Sequence, residues 1–243
     1  MLSIRQLRRK KYPDLPAPMF KLELPQIPNV LQSILKDQKG CRNIYQQLMY
    51  QNNETPTSHA KWENELGDEE IPWQALHNLP FKCCLGTNTK WFQFRILHRI
   101  LATNTFLHKI GLKDSNLCAF CNIEPETLSH LFYCCPFVNS FWNNLSQWLT
   151  DSCENMNILN ITKTEVLLGI INKNRGDLTV NFILLCAKQF IYKCKNSMTV
   201  PRIENFKPWL HSIYKVEKYI AYKDCKWVKF NKRWSKYQRL FQQ

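Results

Sequence analysis

The stretch Leu117–Phe137, "LCAFCNIEPETLSHLFYCCPF", decides how the rest of this chain is read. It holds a C-x-x-C pair, Cys118 and Cys121, followed by His130 and Cys135. Two thiolates on one tight turn can face a single ion, and a histidine followed five positions later by a cysteine can face it from a helical turn. Zinc takes such a Cys3His set as a tetrahedron, with Zn–S of about 2.3 Å and Zn–N of about 2.0–2.1 Å. Four protein ligands leave no open position, so the expected cofactor is one structural Zn2+. The linking "NIEPET" reads as a turn, with Pro125 in the loop and Thr127 capping the helix that carries His130. Cys134 is the alternative to Cys135. Cys135 is favoured, because Cys134 is expected to share the apolar side with Leu131.

On either side the apolar residues recur at helical spacing. "TKWFQFRILHRILATN" predicts a helix with Trp91, Phe94, Leu97, His98 and Leu101 on one stripe, widened by Phe92, Ile96 and Ile100. "TNTFLHKIG" predicts a short helix ended by Gly111. Upstream, "CRNIYQQLMYQ" (Cys41–Gln51) and "TPTSHAKWENELG" read as helices, the second capped by Thr57 or Ser58 and ended by Gly67. "IPWQALHNLPFKCCLGTNT" reads as irregular, and its adjacent Cys83 and Cys84 as apolar fillers. Downstream, "FVNSFWNNLSQWLTD", "LTVNFILLCAKQFIYKCKN", "RIENFKPWLHSIYKVEKYIAYK" and "KWVKFNKRWSKYQRLF" all predict helices, while "TKTEVLLGI" is ambiguous. Pro13, Pro16, Pro18, Pro25 and Pro28 make residues 1–40 an extended segment. The expected fold is mostly α, a helical bundle with a small Cys3His zinc knuckle inserted between helices. Its expected segments are 1–40, 41–86, 87–150 around the knuckle, and a basic, aromatic 151–243.

Composition bounds the function. The 243 residues are 44% hydrophobic, enough for a sizeable core. The net charge of +14 favours a polyanionic partner. "MLSIRQLRRKK" has no apolar run behind it, and no stretch approaches the roughly 18 apolar residues of a membrane span. The expectation is an intracellular chain, nuclear or cytoplasmic, with no membrane partner. Its 11 cysteines are then free thiols or metal ligands.

The residues around the knuckle resemble a known family. Trp91, then "LHRILATN" (Leu97–Asn104), the pair Cys118 and Cys121, "ETLSHLFYCC" with Glu126, Thr127, His130, Leu131, Phe132 and Cys135, and finally Trp142 follow one pattern. It is similar to the zinc-binding region that follows the reverse transcriptase of non-LTR (long interspersed element) retrotransposons. The resemblance is strong over about Thr87–Trp142 and looser on both flanks. It implies a polymerase tail that binds template RNA and target DNA, with a reverse transcriptase core as a partner in trans. Paired aspartates of the polymerase type are absent from the sequence. The expectation is therefore no enzymatic activity, no small-molecule substrate and no catalytic residue.

The charge pattern supports a nucleic-acid role independently. From Lys188 to Gln243 there are 14 Lys and Arg against three acids. The candidate phosphate contacts are Lys90, Arg95, Arg99, Lys109 and Lys113 before the knuckle, and Lys226, Lys229, Lys232, Arg233, Lys236 and Arg239 at the end. Trp227, Phe230, Trp234, Tyr237 and Phe241 recur at helical steps and serve either as core or as platforms for unpaired bases. His59, His77, His98, His108 and His211 read as packed or solvated. The competing expectation is a scaffold that docks on a polymerase or another protein through an exposed apolar patch. A decayed fragment of a mobile element is a third reading.

Overall fold

A computed structural model describes Tyr45 and residues 54–67, 70–152, 161–172 and 177–241. Residues from Thr55 onward form one compact unit. The Pro-rich residues 1–40, and the predicted Cys41–Gln51 helix apart from the helical Tyr45, lie outside the described residues.

The elements of the unit, in order, are α1 (Thr57–Leu66), α2 (Trp73–Cys83), α3 (Thr87–Leu97), α4 (Asn104–Lys109), a π-helical turn (His130–Cys134), α5 (Pro136–Ser152), α6 (Lys163–Leu168), α7 (Leu178–Asn196), α8 (Ile203–Lys223), α9 (Trp227–Trp234) and a 3-10 turn (Ser235–Phe241). Among the described residues there is no strand, only one antiparallel bridge between Leu117 and Pro125. The fold is mostly α, with the knuckle inserted between α4 and α5.

Helix α7 is the axis. Its apolar residues run all round, which marks a helix buried on every side. Val180, Ile183, Ala187 and Ile191 are fully buried. Helices α2, α3 and α8 pack on it. Asp177 starts it by accepting the N–H groups of Thr179 and Val180. Phe141 of α5, Phe190 of α7 and Phe206 of α8 form an aromatic cluster with centroids 5.5–6.0 Å apart. The end of the chain closes the core with Phe230, Trp234 and Tyr237 buried. These three predicted aromatics are core, whereas Trp227 stays outside.

Several expectations are corrected. "IPWQALHNLPFKCC" is not irregular: α2 forms there with Pro80 inside it. Leu76, Pro80 and Cys83 make a buried stripe at helical spacing, and that burial outweighs the lost hydrogen bond. Helix α3 ends at Leu97, since Arg99 takes a left-handed backbone with φ 58°. Its inward face is Phe92, Gln93, Ile96 and Leu97, so Trp91 and Phe94 point outward. The last predicted helix breaks into α9 and a 3-10 turn at Ser235. Helix α1 ends at Gly67 in the left-handed region as expected, but no side chain caps its start.

Lys188 of α7 is only 2% exposed and lies among these packed helices. Its Nζ donates to Gln93 Oε1 at 2.5 Å and to Leu167 O at 3.3 Å. Burial pushes its pKa down from 10.5 to about 7. Between those values the unfolded chain holds a proton that the folded chain has lost, so this residue's contribution to stability rises with pH over that window. Relative to Lys188→Met, the wild type is expected to gain thermal midpoint as pH climbs from 7 to 10. Parallel pH profiles for the two proteins would contradict this assignment.

Candidate metal centre

The knuckle is built by two tight turns. In the first, Asn122 N–H returns to Cys118 O at 3.0 Å with Asn122 in the left-handed region, and Phe120 N–H points at Cys118 Sγ at 3.4 Å. That fold-back puts Cys118 and Cys121 on one side. The second is the π-helical turn. An α-helix would place residues five apart on different faces, at 3.6 residues per turn. Here Cys135 N–H bonds to His130 O at 3.0 Å, an i+5 closure that widens the turn and brings His130 and Cys135 to the same side. Thr127 caps this segment as expected, accepting the His130 N–H at 3.1 Å.

The four ligand atoms lie within 4.8 Å of one another. Cys118 Sγ and Cys135 Sγ are 3.8 Å apart, and Cys121 Sγ and His130 Nε2 are 3.3 Å apart. Around zinc with the usual bond lengths, tetrahedral angles ask for about 3.8 Å between sulfurs and about 3.6 Å between sulfur and nitrogen. The donor set therefore fits one tetrahedral zinc, which would draw in Cys118, Cys121, His130 and Cys135. Cys118 donates its proton toward Cys135, which lifts the Cys118 thiol above its ordinary value and holds Cys135 below. Cys135 is fully buried, while Cys134 is exposed to solvent and does not share an apolar side with Leu131.

The surrounding shell was not read from the sequence. His130 Nδ1 lies 2.9 Å from Glu124 Oε2, so a carboxylate orients the ring with Nε2 toward Cys121. Trp142 donates to Phe132 O at 2.6 Å, satisfying a carbonyl of the π-turn. Glu126 is fully buried. It accepts the N–H groups of Asn104 at 2.7 Å and Ala119 at 2.9 Å, and pairs with Lys195 Nζ at 3.1 Å. Lys195, in turn, donates to Ala102 O at 2.7 Å. The knuckle is thus tied to both α4 and α7. The signal for Glu126 was available: a carboxylate within a knuckle, where a basic chain has few acids to spare.

The predicted cations divide into two groups. Arg95, Lys109, Lys113, Lys226, Lys229, Lys232, Lys236 and Arg239 are exposed, and Lys90 is half-buried beside the Phe81 ring. Lys113 donates to Oδ1 of the buried Asn104, and Lys226 pairs with Asp224 at the surface. Arg99 and Arg233 do internal work instead. Arg99 pairs with Glu65 at 2.6 Å and lies over the Trp62 ring, while Glu65 also accepts from Ser129 beside His130. Arg233 donates to Cys83 O at 2.7 Å, approaches Glu217 at 3.7 Å and lies over Phe182. Cys83 and Cys84 are buried, as apolar fillers should be.

Two predictions follow from this geometry. Cys135→Ser is expected to lose the zinc and Cys134→Ser to keep it, as metal analysis of the purified variants would show. Zinc retained by Cys135→Ser and lost from Cys134→Ser would reverse the ligand assignment. Separately, Glu126→Ala strands a buried lysine and should cost about 3–5 kcal/mol in denaturant unfolding. The apolar pair Glu126→Leu with Lys195→Met should cost less than Glu126→Ala. An equal or larger loss in the double variant would show that the ion pair is not what the site depends on.

No curated protein matches this sequence. Residues 40–142 match the family described as zinc-binding in reverse transcriptase, and Cys118, Cys121, His130 and Cys135, the group that fits one structural zinc, lie within the matched stretch.

Proposed function

We propose that this chain is a nucleic-acid-binding tail of the non-LTR retrotransposon type. It binds RNA or single-stranded DNA through phosphates and performs no chemistry of its own. In this reading it works beside a reverse transcriptase core supplied in trans, in the nucleus or the cytoplasm. The zinc site holds the helices in place, and the helices present the charge.

The observation that carries the reading is the outer surface of α8 and α9. Lys215, Lys218, Lys223, Lys229 and Lys232 are exposed there, with Lys226 between the two helices and Lys236 in the following turn also exposed. Among them stand Tyr219 at 65%, Tyr222 at 77% and Trp227 at 41% exposure, with Lys218 Nζ 5.9 Å from the Trp227 ring. Of the acids on these two helices, Glu217 is buried against Arg233 and Trp234. Rings that any base can stack on, set among lysines, suit an unpaired strand better than a duplex. The aromatic platform is thus a different set from most of the rings in the last helix, which went into the core.

A second reading rests on a different patch. Phe81, Leu85 and Trp91 are exposed, and Trp91 meets Phe94 edge-on at 5.1 Å. An apolar surface of this kind favours docking on a protein, which is the scaffold alternative.

Binding to a single-stranded RNA should fall steeply with salt. Replacing Lys229, Lys232 and Lys236 with Gln should reduce the slope of log K against log salt by about 2, at about 0.7 per phosphate contact. Tyr219→Ala with Tyr222→Ala should weaken RNA binding by about 1–3 kcal/mol per stacked base while leaving the slope alone. A zinc-loaded chain with no salt-sensitive binding would discard this reading in favour of the scaffold.

A further inference from the structure

Three histidines from three successive helices meet outside the zinc knuckle. His59 belongs to α1, His77 to α2, and His98 caps the end of α3. His59 Nε2 and His77 Nε2 face one another at 3.0 Å. The ring of His98 stands 5.3 Å from that of His77, centroid to centroid. All three are half-buried, open to solvent on one side.

The rings are held in place by their neighbours. His59 lies flat on Trp73, with centroids 3.9 Å apart and planes within 1°. Trp73 is itself fixed by its indole N–H, which donates to Glu63 Oε1 at 2.7 Å. His98 packs on Phe94 at 4.1 Å. Such a supported imidazole pair is ordered before any ligand arrives, which is what a binding site needs.

We propose that His59 and His77, with His98 as the third donor, form a second metal site for an imidazole-preferring divalent transition ion of the nickel–zinc class. Two opposed Nε2 atoms share either one proton or one ion. With metal–nitrogen bonds of about 2.0–2.1 Å, a 3.0 Å separation sets an N–metal–N angle of about 95°. That suits cis positions of a tetragonal or octahedral ion, more than the tetrahedron of the knuckle. His98, its ring 5.3 Å from that of His77, would supply the third position only by leaving its packing on Phe94, and water takes the remainder. Burial pushes all three imidazoles below their ordinary pKa, so each offers a lone pair at neutral pH. The neighbouring Glu63 acts against that on His59 alone, and its carboxylate adds favourable charge for a cation. An ion here staples α1, α2 and α3 together.

The test uses the full chain with zinc already in the knuckle. Nickel chloride is added, free metal is removed by gel filtration, and zinc and nickel are counted together by mass spectrometry. Nickel is also expected to quench the fluorescence of Trp73, which lies against His59. The proposal expects one zinc and one nickel per chain. His59→Gln with His77→Gln should keep the zinc and lose the nickel, with unchanged circular dichroism, and His98→Gln should weaken nickel at least tenfold. Wild type that emerges with zinc alone would overturn the proposal and leave the pair as a hydrogen bond. Nickel retained by the double variant would overturn it as well, by placing the metal elsewhere.

Discussion

The structure depends on one buried ion pair, Glu126 with Lys195. A carboxylate and an ammonium taken out of water cost several kcal/mol each unless every hydrogen bond is made. Here both are nearly complete. Glu126 holds two backbone N–H groups besides the lysine, and Lys195 holds the Ala102 carbonyl. One end of this arrangement sits in the loop that carries the cysteines, the other on the central helix α7. The metal knuckle is therefore not an appendage. Zinc fixes the ligands, the ligands fix the loop that carries Glu126, and Glu126 fixes where α7 lies against α4.

This changes how the basic character of the chain is understood. Lys188, Lys195 and Arg233 belong to the stretch with the largest positive excess, yet none of them offers its charge to a partner. Lys188 sits beneath α3 and α6, bonded to Gln93 and Leu167. Arg233 links the last helix to α2 and α8 through Cys83 and Glu217. Long cationic side chains here act as internal struts whose stems fill the core and whose heads satisfy carbonyls. The exposed charge lies with Arg95, Lys109 and Lys113 and along α8 and α9, where exposed rings accompany it.

The knuckle and the long helices were legible in the sequence for a simple reason: metal-ligand spacing and apolar periodicity are both local. Cys118, Cys121, His130 and Cys135 announce one tetrahedral site, and "LTVNFILLCAKQFIYKCKN" announces a buried helix with its ends correct. What was not legible depends on partners far along the chain. The segment around Pro80 reads as irregular, but burial of its stripe against α7 makes it a helix. Arg99 belongs to a basic motif, but Glu65 and Trp62, more than thirty residues earlier, decide its use. Cys135 is the ligand the sequence favours, but for another reason: the π-helical closure, which no residue pattern specifies, sets it beside His130 and leaves Cys134 exposed.

Metal site and helical core form one cooperative structure joined through Glu126. This coupling is tested most directly by thermal unfolding of the full chain, followed by far-UV circular dichroism, with zinc bound and after removal by chelator. A single helical transition is expected to move to a clearly lower temperature when zinc is removed. Identical transitions in the two samples would contradict it and make the knuckle an ornament on a core that stands without it.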